Sequence, residues 1–252
     1  MELALKDEHL TVFDEFLAPH EFRQFSEALQ FIDYSVLQSK SWIKAYGDPA
    51  PTTLESQLVV RGQREVTPSG MGHVGRLMDQ LVREGSPLDR LFPDGRTALD
   101  YIITGRVILF GRGAGLRWHA DSNDQLGAYI YYGHPQWQTS WGGELMIMDG
   151  ASTLGKGLTE EPDRSFGRRS AKPGVKPSAK PGVKPGAVIG PDFQLDGAEE
   201  RRAAIGLGRF ITAKPNRLVV LSGSAEHRVA PVTASAGDHF RCGLTGFIVK
   251  SG

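Results

Sequence analysis

Apolar and polar residues follow two different rhythms along this chain, one before residue 100 and another after it. In the first stretch, Leu10 to Leu17 reads as a short strand. Pro19 and His20 then open a helix with apolar residues at Phe22, Phe25, Leu29 and Phe31, close to helical spacing. Tyr34 to Lys44 is mixed and aromatic, with a strand-like texture, and residues 47–53 form a Gly/Pro/Thr loop. His73 to Arg83, with Val74, Leu77, Leu81 and Val82, predicts a second amphipathic helix. Residues 1–99 are therefore expected to be mixed α/β support.

From Tyr101 the rhythm shortens. Tyr101 to Phe110 is apolar and β-branched, the texture of a buried strand. Further short strands recur between Gly-rich turns, around 116–121, 126–133, 143–148, 217–222, 226–232 and 239–249. Many short strands with Gly/Pro turns imply a sandwich or barrel. Residues 150–212 interrupt them. Within that stretch, residues 171–178 and 179–186 are a tandem Lys/Pro/Gly-rich repeat that differs only at its last position. Lacking large apolar side chains, it cannot offset its ordering entropy, and a PPII-like, mobile loop is expected. A tolerated insertion between two strands explains it more simply than an active-site lid or a partner-binding arm.

Composition narrows the class. At 252 residues the chain suits one domain, and 29 basic residues balance 29 acidic ones. That neutrality gives no global attraction to nucleic acid or an anionic membrane. The single cysteine, Cys242, excludes an intrachain disulfide and favours a reducing, cytoplasmic compartment. The N-terminus lacks a signal-peptide layout, and no apolar run approaches the ~20 residues of a membrane helix. Oligomeric state is not readable.

The chemistry begins at His119-Ala-Asp121. Residues i and i+2 of a strand share a face, so this imidazole and carboxylate can reach one ion together. By itself the pair is weak evidence, since seven histidines are present. His227 adds a candidate third ligand at the start of a later strand. Two histidines and one carboxylate form the facial triad of non-haem Fe(II) oxygenases, with coordination positions left open. Arg241 follows fourteen residues after His227 in an alternating strand, where it shares a face with Gly243, Thr245 and Phe247. An inward arginine is costly unless it meets an anion, and a dicarboxylate suits bidentate pairing.

On these residues the chain resembles the Fe(II)/2-oxoglutarate-dependent oxygenases, specifically the prolyl 4-hydroxylase-like branch. The family pattern appears in order as His119-Ala-Asp121, Tyr129-Ile-Tyr-Tyr132, Trp141-Gly-Gly-Glu-Leu145, His227-Arg-Val229 and Arg241. The resemblance covers about residues 100–149 and 207–250. It implies a mostly β (α+β) fold, a double-stranded β-helix or jelly roll with supporting N-terminal helices, interrupted by an insertion at 150–206. It also implies that His119, Asp121 and His227 hold Fe(II), and that Arg241 binds the distal carboxylate of 2-oxoglutarate. Tyr132 would hydrogen-bond that carboxylate, and Thr245 would add a hydroxyl. Ile130, Leu145, Val229 and Phe247 would wall the pocket, with Tyr129 and Tyr131 facing away into packing.

The implied activity is a dioxygenase using O2, with ascorbate as a candidate stimulant. It would hydroxylate an unactivated C–H bond of a small molecule or peptidyl residue and release succinate and CO2. Desaturation, cyclisation or epoxidation by the same cofactors is one alternative, and a cupin-like isomerase or non-catalytic metal-binding module is another. Two departures stand out. The histidines lie 108 residues apart, which the insertion explains, and Gly243 replaces a frequent family serine. Asp121 is retained, unlike in related halogenases, and this points to a hydroxylase.

Several other features have bland explanations. Gly111 to Gly115 links strands rather than opening a helix, so it lacks a phosphate-loop context. Arg117 would share the face of His119 if its strand were regular, greeting an anionic substrate or pairing with a surface acid. Asn123 suits a turn better than a substrate contact. Trp137 and Trp141 suit packing better than a substrate platform. His9, His20, His73, His134 and His239 have no ligand-like partner in the sequence.

Overall fold

The computed structural model describes residues 1–7, 9–37, 53–92, 95–121, 124–148, 208–223 and 225–250. The Lys/Pro/Gly repeat, Asn123, most of the 47–53 loop and the stretch after Leu37 in the aromatic segment lie outside the described residues. Thirteen strands are present among those described. The first five are β1 (Glu2–Lys6), β2 (Leu10–Asp14), β3 (Ser35–Val36), β4 (Thr53–Glu55) and β5 (Val59–Gly62). The central group is β6 (Ile102–Phe110), β7 (Leu116–His119), β8 (Gln125–Tyr132) and β9 (Leu145–Met148). The last four are β10 (Gly208–Ile211), β11 (Leu218–Ser222), β12 (His227–Val229) and β13 (Arg241–Val249). Two helices, α1 (Pro19–Ala28) and α2 (Gly72–Val82), match the two expected amphipathic segments. Pro19 opens α1, where its missing N–H costs nothing. The Glu21 carboxylate accepts the Ala18 N–H at 3.1 Å.

The strands build two sheets. The larger runs β1-β2-β11-β8-β13-β6-β4-β3, with β5 also on β6; the smaller runs β10-β9-β12-β7. The pairings are antiparallel. This is the expected mostly β, jelly-roll architecture. Strands β1, β4, β5 and β10 go beyond the sequence expectation. Strand β1 is exposed along its whole length, and only Ile211 of β10 is buried, so neither carries a core alternation to detect.

Period-2 alternation divides the large sheet into two faces. Tyr129, Tyr131, Leu218, Val220, Leu244 and Ile248 pack on one side with Phe25 of α1 and Val74, Leu77 and Met78 of α2. On the other side, Ile130, Tyr132, Val219 and Leu221 meet Leu145, Ile147, Ile211 and Val229 of the small sheet. Tyr129 and Tyr131 therefore point away from the inter-sheet space, as expected. Their hydroxyls donate to Thr104 O and Asn216 Oδ1, each at 2.8 Å.

Candidate functional site

The small sheet brings the two distant histidines together. His227 of β12 pairs directly with His119 of β7, and their ring centroids lie 4.4 Å apart. Asp121 follows just past the end of β7, with its Oδ1 3.9 Å from His119 Nε2. Ligand-type atoms of His119, Asp121 and His227 lie within 4.8 Å of one another, close enough for one metal ion.

Backbone carbonyls set the histidine tautomers. The Nδ1–H of His119 donates to Arg117 O at 2.8 Å, and that of His227 donates to Ala225 O at 2.9 Å. A carbonyl only accepts, so Nδ1 keeps its proton in both rings and Nε2 carries the lone pair a metal uses. Burial and then the neighbouring His227 lower the His119 pKa to about 4. Burial likewise lowers that of His227. Burial pushes the Asp121 carboxyl up to about 6, against the pull of His119. Its Oδ2 is buried and without a partner among the described residues. A buried carboxylate oxygen left bare is expensive, and a divalent cation would satisfy it.

A cavity of about 320 Å³ opens between the sheets beside these three residues. Arg241 lies at one end and is 1% exposed. Its Nη2 donates to the Tyr132 hydroxyl at 3.3 Å, and its guanidinium lies over the rings of Tyr132 and Phe110 at 4.9 and 5.2 Å. Its Nε has no partner, and no carboxylate pairs with it among the described residues. The Gly-Gly turn makes room for it. Gly142 and Gly143 both adopt positive φ, and a Cβ on Gly143 would lie 2.7 Å from Arg241 Cδ. Thr245, Ile130, Val229 and Phe247 line the cavity, as expected, whereas Leu145 packs in the wall behind them without lining it. Across β8 and β13, Gly243 pairs with Tyr132 and Thr245 with Ile130, which keeps these side chains on the cavity face.

A profile of the 2OG-Fe(II) oxygenase superfamily matches residues 105–249, more than half of the chain. The chain belongs to that superfamily. No curated protein sequence matches it. Among solved structures, a Pseudomonas putida prolyl-4-hydroxylase is similar at 15% identity and a TM-score of 0.51, over 96% of this chain and 93% of that one. A 2OG-Fe(II) oxygenase family protein from Burkholderia pseudomallei aligns at 11% identity and a TM-score of 0.55, over 96% and 86%. HygX from Streptomyces hygroscopicus, solved with nickel, 2-oxoglutarate and hygromycin B, aligns at 10% identity and a TM-score of 0.51, over 96% and 83%. At these identities the likenesses speak to the fold.

Against that family background, this 2OG-Fe(II) oxygenase departs from the sequence reading in a second place besides Leu145. Arg117 is exposed and does not line the cavity, although His119 does. The register explains it. His227 pairs with His119 while Val229 pairs with Leu116, so β7 carries an extra residue that breaks the alternation. The arginine that does enter the cavity is Arg106 of β6, paired with Glu55 of β4. Neither was anticipated. The clue was an arginine inside the apolar run from Tyr101 to Phe110, but its face could not be assigned without the strand pairing. Trp137 donates its indole N–H to Gly142 O at 2.9 Å and packs edge-on against Trp141, as packing residues do. His134 is buried, accepts the Cys242 N–H and donates to Ala213 O, a structural clip behind Tyr132.

Proposed function

We propose that this oxygenase hydroxylates an unactivated C–H bond of a small molecule, with His119, Asp121 and His227 as the protein ligands of its Fe(II). The reading rests above all on one coincidence. Among the described residues, a buried ligand cluster with a bare carboxylate oxygen and a buried arginine without a counter-anion share one cavity. The first requires a cation and the second an anion, and a metal-bound dicarboxylate answers both. Bound Fe(II) and 2-oxoglutarate supply the oxidising chemistry, in which O2 is consumed and succinate and CO2 are released as the substrate is oxidised.

The chain's own residues bind and orient. The carbonyls of Arg117 and Ala225 engage Nδ1 of both imidazoles and so would leave Nε2 free to hold the ion. Arg241, with Tyr132 beside it and Thr245 on the same strand face, anchors the distal carboxylate. Phe110, Ile130 and Val229 exclude water from the reacting end. The retained Asp121 favours hydroxylation, since it fills the position that a halide would need. Desaturation, cyclisation or epoxidation depends on how the substrate sits, and membership of the family sets aside a cupin-like isomerase. A cavity of about 320 Å³ is at the small end for ligand pockets and favours a small molecule over a large one.

Anaerobic addition of Fe(II) and 2-oxoglutarate should give a weak visible charge-transfer band in the wild-type protein and none in His119→Ala. A missing band in the wild type, or its survival in the variant, would overturn the assignment. Succinate release with a mass gain of one oxygen on screened candidates then separates hydroxylation from desaturation.

A further inference from the structure

We infer that the Arg106–Glu55 pair is the substrate-selecting element of the cavity, and that it recognises an α-amino acid through its ammonium and carboxylate together. This rests on the reading of Arg241 as the cosubstrate anchor. The two arginines occupy different stations of one wall. Arg241 pairs in register with Phe110, whereas Arg106 pairs with Thr245, four residues along β6 from Phe110. At ~3.4 Å per residue that places the two stations roughly 14 Å apart. Glu55 pairs with Ile108 across β4 and β6, so it shares the cavity face with Arg106.

Their states also differ. Among the described residues Arg241 is buried without an anion, while Arg106 is 35% exposed and already held by Glu55, itself 18% exposed. Among the described residues, the hydrogen bond within the pair joins Nη1 of Arg106 to Oε2 of Glu55. The pair therefore keeps further N–H donors and a second carboxylate oxygen for an incoming molecule.

Charge balance then selects the class of ligand. With the cofactors bound, the two positive charges of the ion and the one of Arg241 are met by one negative charge of Asp121 and two of 2-oxoglutarate. The reacting end is neutral, and so is the Arg106–Glu55 pair. A singly charged substrate would bring an uncompensated charge between apolar walls such as Leu58, Ile108, Phe247 and Val249. It would also confront the like-charged member of the pair. A molecule with adjacent ammonium and carboxylate groups matches both members, the guanidinium taking its carboxylate and Glu55 its ammonium. Its side chain is then directed along the cavity toward the metal ligands.

The test is an anaerobic calorimetric titration of the Fe(II)- and 2-oxoglutarate-loaded protein with the proteinogenic L-amino acids. Each binder is compared with its deaminated acid and its decarboxylated amine. At least one amino acid should bind, and each singly charged analogue should bind at least about ten-fold more weakly, roughly 1.4 kcal/mol. In Arg106→Gln the amino acid should bind no better than the amine, and in Glu55→Gln no better than the acid. Retention of the charge-transfer band shows that both variants are folded and loaded. The inference is overturned if no amino acid binds, if the analogues bind equally well, or if the discrimination survives in both variants. A wild-type protein that binds 2-oxoglutarate but ignores amino acids refutes this inference alone. A protein without the band refutes the cofactor assignment, and the titration repeated without metal still decides the pair.

Discussion

The two faces of the large sheet are built from the same strands and treat their polar groups in opposite ways. On the helix face, the buried tyrosine hydroxyls of β8 are satisfied. Tyr129 and Tyr131 donate to Thr104 O and Asn216 Oδ1, and Asn216 in turn bonds both N–H and C=O of Leu17. On the cavity side, Arg241 Nε, together with Asp121 Oδ2 from the facing small sheet, has no partner among the described residues. Buried polar atoms are normally paired, so the exceptions call for an explanation. The helix face stores stability, whereas the cavity face withholds it until ligands arrive. This division predicts that variants on the two faces will have opposite signatures.

The largest effect is expected on the cavity face. Arg241→Met should weaken 2-oxoglutarate binding by about 1.5 to 3.5 orders of magnitude, the ~2–5 kcal/mol typical of truncating one partner of a buried charge pair. Without ligand the same variant should be as stable as the wild type or more so, because an unpaired buried cation has been replaced by an apolar chain. Titration of 2-oxoglutarate and chemical denaturation of the apo protein measure the two effects. A large loss of apo stability would break the contrast.

Asn216→Ala should do the reverse. Asn216 sits at a φ of 60° and makes three hydrogen bonds that tie β11 to the end of β2 and to Tyr131. Its loss should cost ~2–4 kcal/mol, from stranded partners and a backbone conformation that alanine tolerates poorly. Affinity for 2-oxoglutarate in the fraction that remains folded should be unchanged.

The smallest effect concerns acid. Burial lowers the His134 pKa to about 4, against an ordinary 6.5. The unfolded chain therefore binds a proton there at higher pH than the folded one. Stability from this group is present above about pH 6.5 and is lost as pH falls toward 4. Denaturation midpoints of the apo protein across that window should fall less steeply in His134→Gln than in the wild type. An unchanged slope would remove His134 from the set of groups that make the satisfied region acid-sensitive.

Much of this site was legible because period-2 alternation carries information without coordinates. Tyr132 and Ile130 could be assigned to one face and Tyr129 and Tyr131 to the other from parity alone. The same rule failed for Arg117, because an extra residue in β7 is invisible until the partner strand fixes the register. Arg106 and Glu55 stayed hidden for a different reason. They are 51 residues apart in sequence, and the pairing of β4 with β6 is what unites them. Strand β1 was missed because an exposed edge strand buries nothing and so leaves no hydrophobic pattern. Local periodicity was readable, whereas cross-strand partnership was not.

The pairing of β9 with β10 has a practical consequence. Met148 and Gly208 are direct partners, so the chain leaves and re-enters the small sheet at a single point. Loop-closure entropy grows only logarithmically with length, so the cost of joining these two residues changes little with the number of residues between them. His119 and His227 are brought together by β7 and β12, not by the span of sequence that separates them. The meeting of the two histidines is thus set by the β7–β12 register and not by the number of residues in the span between them.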